Sequence, residues 1–215
     1  MNVLAIDAAL GGFSAALARA DRIAASGFET GSVALERGLA IVEAAFEQAH
    51  MAHSDVDRLA VGIGPGRFTG LRIAIAYAKS LAAVWGRPLV PISSFDLLEC
   101  GRRFDRVLTV VEGRPGVISA RYRAGDAVAR ASGRIHDVLG ALLGHEAGEL
   151  DVLGAPKDVL HALAERRILV RSVDALVTPA AAAAALLATT RAPAQSVHAV
   201  TADYGELPAV TTPKR

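Results

Sequence analysis

A single cysteine, Cys100, rules out any disulfide within the chain, and its scarcity fits a reducing compartment. Aromatic residues make up only 5% of the sequence although hydrophobic ones reach 52%, and alanine supplies much of that difference. Helices built from it should pack closely. The formal charge of +1 argues against a dedicated nucleic-acid binder with a dominant basic field. The longest apolar stretch, Ala180 to Ala188, falls well short of the ~20 residues that span a bilayer. The N-terminus has no basic region ahead of its apolar residues and meets Asp7 at once, which reads as a strand and not a signal peptide. A cytoplasmic protein with no membrane association is expected.

Catalytic constellations are also missing. No Gly-x-Ser-x-Gly elbow and no cysteine pair occurs. Among six histidines only His50 and His53 are close, and no Glu stands where a zinc hydrolase requires one. The expectation is no catalytic residue and no metal site.

What the chain does have is a glycine-rich stretch, Gly62-Ile63-Gly64-Pro65-Gly66-Arg67-Phe68-Thr69-Gly70-Leu71-Arg72-Ile73. Leu59 to Ile63 ahead of it reads as a buried strand. Beyond it, Leu71, Ile75, Ala78, Leu81 and Trp85 recur with helical period, with Thr69 as N-cap and Gly86 as stop. The turn lacks the Gly-Lys-Ser/Thr ending of a P-loop, and Gly64, Gly66 and Gly70 do not match G-x-G-x-x-G. Two readings remain at this level. The glycines aim backbone N–H groups at an anion, or they serve a tight turn and close packing.

Taken in order, Val3–Ile6, Ser14–Ala20 and Ile23–Phe28 read as three strands. A helix from Ser32 to Met51 carries Leu35, Leu39, Val42 and Phe46 at helical spacing, with Ala40, Ala44 and Ala49 as small residues. Ala74, Ala78 and Ala82 form a matching stripe in the helix after the glycines. Such stripes let helices approach closely, either against the protein's own sheet or against a partner. Leu35, Leu39, Val42, Ala74, Ala78 and Ala82 are therefore the candidate partner interface. Leu89–Ile92 is a strand, and Ser93 or Ser94 caps a helix to about Phe104.

A boundary near 104–106 divides the chain into lobes 1–104 and 105–215. The second opens with a hairpin, Arg106–Val111 and Val117–Arg123. Helices at Ile135–Leu143 and Val159–Arg166, strands at Asp151–Leu153 and Ile168–Val173, and an alanine-rich helix from Thr178-Pro179 to about Arg191 follow. Two arginine clusters, Arg102/Arg103/Arg106 and Arg166/Arg167/Arg171, read as solvated faces.

Gly64-Pro65-Gly66 followed by Phe68-Thr69-Gly70-Leu71-Arg72-Ile73, with Leu4-Ala5-Ile6-Asp7 about sixty residues upstream, resembles the TsaB (YeaZ) family. That family is the bacterial subunit needed to make threonylcarbamoyladenosine in tRNA. The resemblance implies an α/β, two-lobed actin/Hsp70-like (ASKHA, ribonuclease H-like) fold of mixed sheets flanked by helices. It implies a non-catalytic scaffold and activator that heterodimerises, through first-lobe helices, with the catalytic homologue TsaD. The complex would transfer a threonylcarbamoyl group to adenosine 37 of tRNAs reading ANN codons, joined by the ATPase TsaE, with tRNA contacted through the complex. Alone, the chain could form a homodimer. No cofactor would be held firmly, ATP and metal belonging to the partner subunits.

On this resemblance Asp7, Gly64, Pro65, Gly66, Phe68, Thr69, Gly70 and Arg72 belong to the loops of a degenerate nucleotide site. Relatives carry Thr-Ser after the first aspartate, where this chain has Ala8-Ala9, and a methyl group cannot donate a hydrogen bond to a phosphate oxygen. Arg67 stands where Ser is typical, and only Glu112-Gly113-Arg114 survives of a second-lobe acidic pattern. The alternative is a small-molecule kinase or ATPase of the same fold. A glycoprotease-like metallopeptidase is disfavoured because His-x-x-x-His is absent.

Overall fold

The structure is a computed structural model describing residues 1–31, 33–144, 148–174 and 179–205, with only the backbone at 172–174. The first sheet comprises β1 (Asn2–Asp7), β2 (Phe13–Arg19), β3 (Arg22–Glu29), β4 (Arg58–Gly64) and β5 (Leu89–Ser93), in the order β3-β2-β1-β4-β5. β1, β2 and β3 form an antiparallel meander, while β4 and β5 run parallel to β1. Parallel neighbours need crossovers. These are α1 (Gly38–Ala49) ahead of β4 and α2 (Phe68–Trp85) ahead of β5. α3 (Ser94–Glu99) follows.

The second sheet comprises β6 (Arg106–Arg114), β7 (Val117–Ala124), β8 (Ala127–Arg134), β9 (Gly148–Leu153) and β10 (Ile168–Asp174), in the order β10-β9-β6-β7-β8. Its pairing repeats that of the first sheet strand for strand. α4 (Ile135–Leu143) and α5 (Lys157–Glu165) take the places of α1 and α2, and α6 (Ala180–Leu187) that of α3.

Alternation along the strands explains the layers. Leu4, Ile6 and Leu17 point to a core shared with Val42, Phe46, Ala74 and Ala78 of the crossover helices. Val3, Ala5, Ala16 and Ala18 point the other way, to a core shared with Ala180–Ala185. α6 is thus buried all round and has no polar stripe, and alanine lets it lie close against small strand residues. The expected second lobe placed everything after 105 together, but α6 crosses back and packs on β1 and β2 of the first sheet. Conversely, α3 reaches the second sheet, where Phe95 and Leu98 meet Val111. α3 therefore bridges the two sheets, since its Leu97 belongs to the first-sheet core, while α6 packs on the first sheet.

Several expected boundaries shift. The first helix begins at Gly38, after a turn over 33–37, and Gly38 lies against the Phe13 ring, where a Cβ would come within 2.7 Å. Its expected start, Ser32, lies outside the described residues. Thr69 is not an N-cap: α2 starts at Phe68, with extended Arg67 in the cap position and no side-chain cap. Gly86 does end that helix, left-handed at φ 63. Ser93 caps α3 by accepting from the Phe95 N–H, yet the helix stops at Glu99, where Cys100 takes extended ψ. β8 was not foreseen, since an exposed edge strand with alanines and arginines carries no apolar alternation. α6 ends at Leu187, short of Arg191, and its expected cap Thr178 lies outside the described residues. No described helix is long and apolar enough to cross a membrane.

Candidate functional site

β1 delivers Asp7 to the point where its sheet meets the glycine turn. The side chain is 2% exposed. Its Oδ2 accepts from the Ala9 N–H at 3.2 Å, and its Oδ1 has no partner. Burial pushes the carboxyl up to about 6, against the downward pull of the Leu10 and Ala9 N–H groups. Gly62 lies directly beneath, where a Cβ would collide with the carboxylate.

The other glycines work the same way. A Cβ on Gly66 or Gly70 would strike the backbone carbonyl of Ala9 or Ala8, and one on Gly64 that of Asp203. Only Gly64, of these four, also has a left-handed backbone, at φ 101. The Arg67 N–H donates to the Ala9 carbonyl at 3.0 Å, and the Asp203 N–H donates to the Ile63 carbonyl at 2.7 Å. Of the two readings of this turn, the geometry matches close packing. The chain's own backbone fills the ground between the β1–β2 turn and the glycine turn, and the buried groups there are the methyls of Ala8 and Ala9. These residues do not fit a phosphate cradle.

The remaining signature residues diverge. Pro65 lines a cavity of about 230 Å³ between the lobes, with Phe95, Ser119, Arg130, Ser132 and Asp203. Phe68, Thr69 and Arg72 instead face outward from the first turn of α2. The Phe68 ring lies 5.0 Å from that of Tyr204 and beneath the Arg72 guanidinium at 5.2 Å.

The candidate interface residues do not form one surface. Ala74, Ala78 and Ala82 are at most 1% exposed, Val42 is buried, and Leu35 is largely covered; all face the protein's own first sheet. The small stripe seats α2 on β4 and β1, so it is intramolecular packing. Leu39 alone of the six is substantially exposed, at 47%. The outward faces are Leu39, Ala40 and Glu43 on α1, and Ala76, Ala83 and Val84 on α2. Their signal in the sequence was their position out of phase with the buried stripe.

A buried charge network went unforeseen. Glu99, at the end of α3, accepts from Thr109, from Arg121 Nε at 3.1 Å and from Arg123 at 2.7 Å. Asp96 accepts from both Arg121 and Arg191 at 2.6 Å. Burial alone would raise the Asp96 carboxyl, but the hydrogen bonds from Arg191 and Arg121 hold it below its ordinary value. The network ties α3 to β6, β7 and the segment after α6. Its partners are up to 95 residues apart, so no local pattern could announce it.

His53 stacks on Trp85 at 5.2 Å and meets Phe46 edge-on at 4.5 Å. Among the described residues no three His, Cys, Asp or Glu side chains converge in a way that could hold a metal ion.

Two lobes built on the same sheet topology, with α6 returning to the first sheet and α3 bridging both, define the class as a two-lobed α/β protein of the actin/Hsp70-like (ASKHA) type. The family model described as "TsaD: tRNA N6-adenosine threonylcarbamoyltransferase" matches residues 34–198. The tRNA threonylcarbamoyladenosine biosynthesis protein TsaB of Bacillus subtilis is 32% identical over 124 residues, covering 55% of this chain and 53% of that protein. A tRNA N6-adenosine threonylcarbamoyltransferase of Moorella thermoacetica is 43% identical over 58 residues, covering 27% of this chain and 17% of that one. In structure, the protein with similarity to peptidase YEAZ from Pseudomonas aeruginosa superposes with a TM-score of 0.76 at 23% identity, covering 95% of this chain and 99% of that one. The chain belongs to this family, as a TsaB/YeaZ member. Its alignment spans about half the length of the Bacillus protein.

Proposed function

We propose that the chain takes part in threonylcarbamoyladenosine biosynthesis as a non-catalytic scaffold and activator. It heterodimerises with a TsaD-type catalytic homologue, a TsaE-type ATPase joins the pair, and the complex modifies adenosine 37 of tRNAs reading ANN codons. ATP and metal belong to the partner subunits. The observation that carries this reading is the closure of the glycine turn on Ala8 and Ala9: the place where a relative of this fold would grip phosphate is occupied by backbone. The outward face of α1 and α2, with Leu39 and Val84 exposed, supports docking there, and isolated chains would pair through the same face.

Depletion of the chain should lower the modified fraction of position-37 adenosine, measured by mass spectrometry of tRNA digests, and the chain should co-purify with the catalytic homologue. Full modification after depletion would sink the reading. The kinase or ATPase alternative is separated by calorimetry with ATP and magnesium, where turnover without a partner would favour it.

A further inference from the structure

The two arginine clusters that read as solvated faces in the sequence do not stay apart in the fold. Arg102 and Arg103, from the segment after α3, and Arg171, from β10, line one pocket with Arg123 of β7. Its volume is about 380 Å³, larger than one phosphate and within the range of sites that take a nucleotide-sized ligand. Phe104 and Asp105 complete the lining, which thus holds four arginines and one acidic residue. Two of the guanidiniums are braced from below. Glu99 accepts from Arg123 at 2.7 Å, and Asp151 accepts from Arg171 Nε at 3.1 Å and from its terminal nitrogen. Both arginine side chains stay about half exposed, at 45% and 51%. A guanidinium has five N–H donors, so this bracing leaves others for a ligand.

Glu149 also acts on Arg171, and Glu99 and Asp151 lie under the floor, which keeps the surrounding field moderate. That accords with a formal net charge of only +1. The attraction is therefore local and geometric. Planar guanidinium forks match phosphate oxygens in pairs, and an aromatic wall is the surface on which an unpaired base stacks.

We propose that this pocket binds the phosphate backbone of an unpaired stretch of the tRNA that the complex modifies, with Arg103 and Arg123 on phosphate and Phe104 beside a base. The proposal rests on the function proposed above, but its test does not.

Fluorescence anisotropy of a labelled anticodon arm of an ANN-reading tRNA would be measured against the full chain, alone and co-purified with the catalytic homologue. Arg103→Glu should weaken binding by about tenfold, and the slope of log affinity against log salt should become shallower by roughly 0.7 for each single-strand phosphate that the variant no longer neutralises. Arg22→Glu is the same charge change at the exposed first residue of β3 and should alter affinity by less than about twofold. Arg103 is exposed, so the fold should be retained, as circular dichroism would verify. Arg123→Gln is the second probe and should also weaken binding.

Equal losses in Arg103→Glu and Arg22→Glu, or no loss in either pocket variant, would overturn the proposal. AMP and inorganic phosphate should displace the RNA only at millimolar concentration; AMP binding more tightly than the RNA would assign the pocket to a free nucleotide and overturn it too. If position-37 modification depends on the chain while Arg103→Glu leaves RNA affinity unchanged, the pocket proposal alone fails. If the pocket variants lose RNA affinity but depletion spares the modification, the functional reading alone fails.

Discussion

Replacing Asp7 by Asn should stabilise the protein at neutral pH and above, and not in acid. The native carboxyl is pushed from 3.8 to about 6, so holding it charged in the fold costs roughly 2.2 × 1.36, or about 3 kcal/mol. A folded value above the unfolded one means that the native state binds the proton more tightly. The cost is present in full above about pH 6, fades as the pH falls through the range between the two values, and is gone below 3.8, where both states are protonated. Asn keeps the shape and can accept the Ala9 N–H, but its amide would sit where Oδ1 now has no partner, returning about 1–2 kcal/mol of the gain. The net expectation is about 1–2 kcal/mol of added stability at pH 7.5, or a few degrees in Tm for a chain of this size. Urea unfolding at pH 7.5, 6 and 5 reads it directly, with the advantage of Asn shrinking to nothing or reversing at the lowest pH. An Asn variant less stable at pH 7.5, or an advantage that ignores pH, would refute the burial argument.

Gly70→Ala should destabilise by about 1–3 kcal/mol in urea unfolding, because its methyl meets the Ala8 carbonyl although the backbone there is ordinary. Arg121→Ala should cost about 3–5 kcal/mol in the same assay, since it leaves Glu99 buried with one charged partner fewer. On the helices, Ala78→Leu should lower stability by about 1–3 kcal/mol by overpacking the first sheet. Leu39→Arg should change stability by no more than about 0.5 kcal/mol yet abolish capture of the catalytic homologue in a pull-down.

The sequence by itself determined the elements whose signal is local. β1, β4 and β5 follow from short apolar runs, the β6–β7 hairpin from its polar turn, and the cores of α1, α2, α4 and α5 from apolar spacing of about 3.6 residues, while Gly86 stops α2 because glycine adopts a left-handed backbone cheaply. The glycine signature was legible as a motif, and so was the loss of hydroxyls at Ala8 and Ala9. Its meaning was not, because a glycine kept for a turn and one kept for contact with a distant carbonyl look alike in a string; only the fold sets Gly66 and Gly70 against Ala9 and Ala8. The alanine stripe was open in the same way, since a small face is equally suited to a partner or to the chain's own sheet, and tertiary packing chose the sheet. The return of α6 to the first sheet, the Glu99 network and the meeting of Arg103 with Arg171 were decided by tertiary structure alone. Each joins residues far apart in the chain, and periodicity records only which way a residue faces, not what it will face.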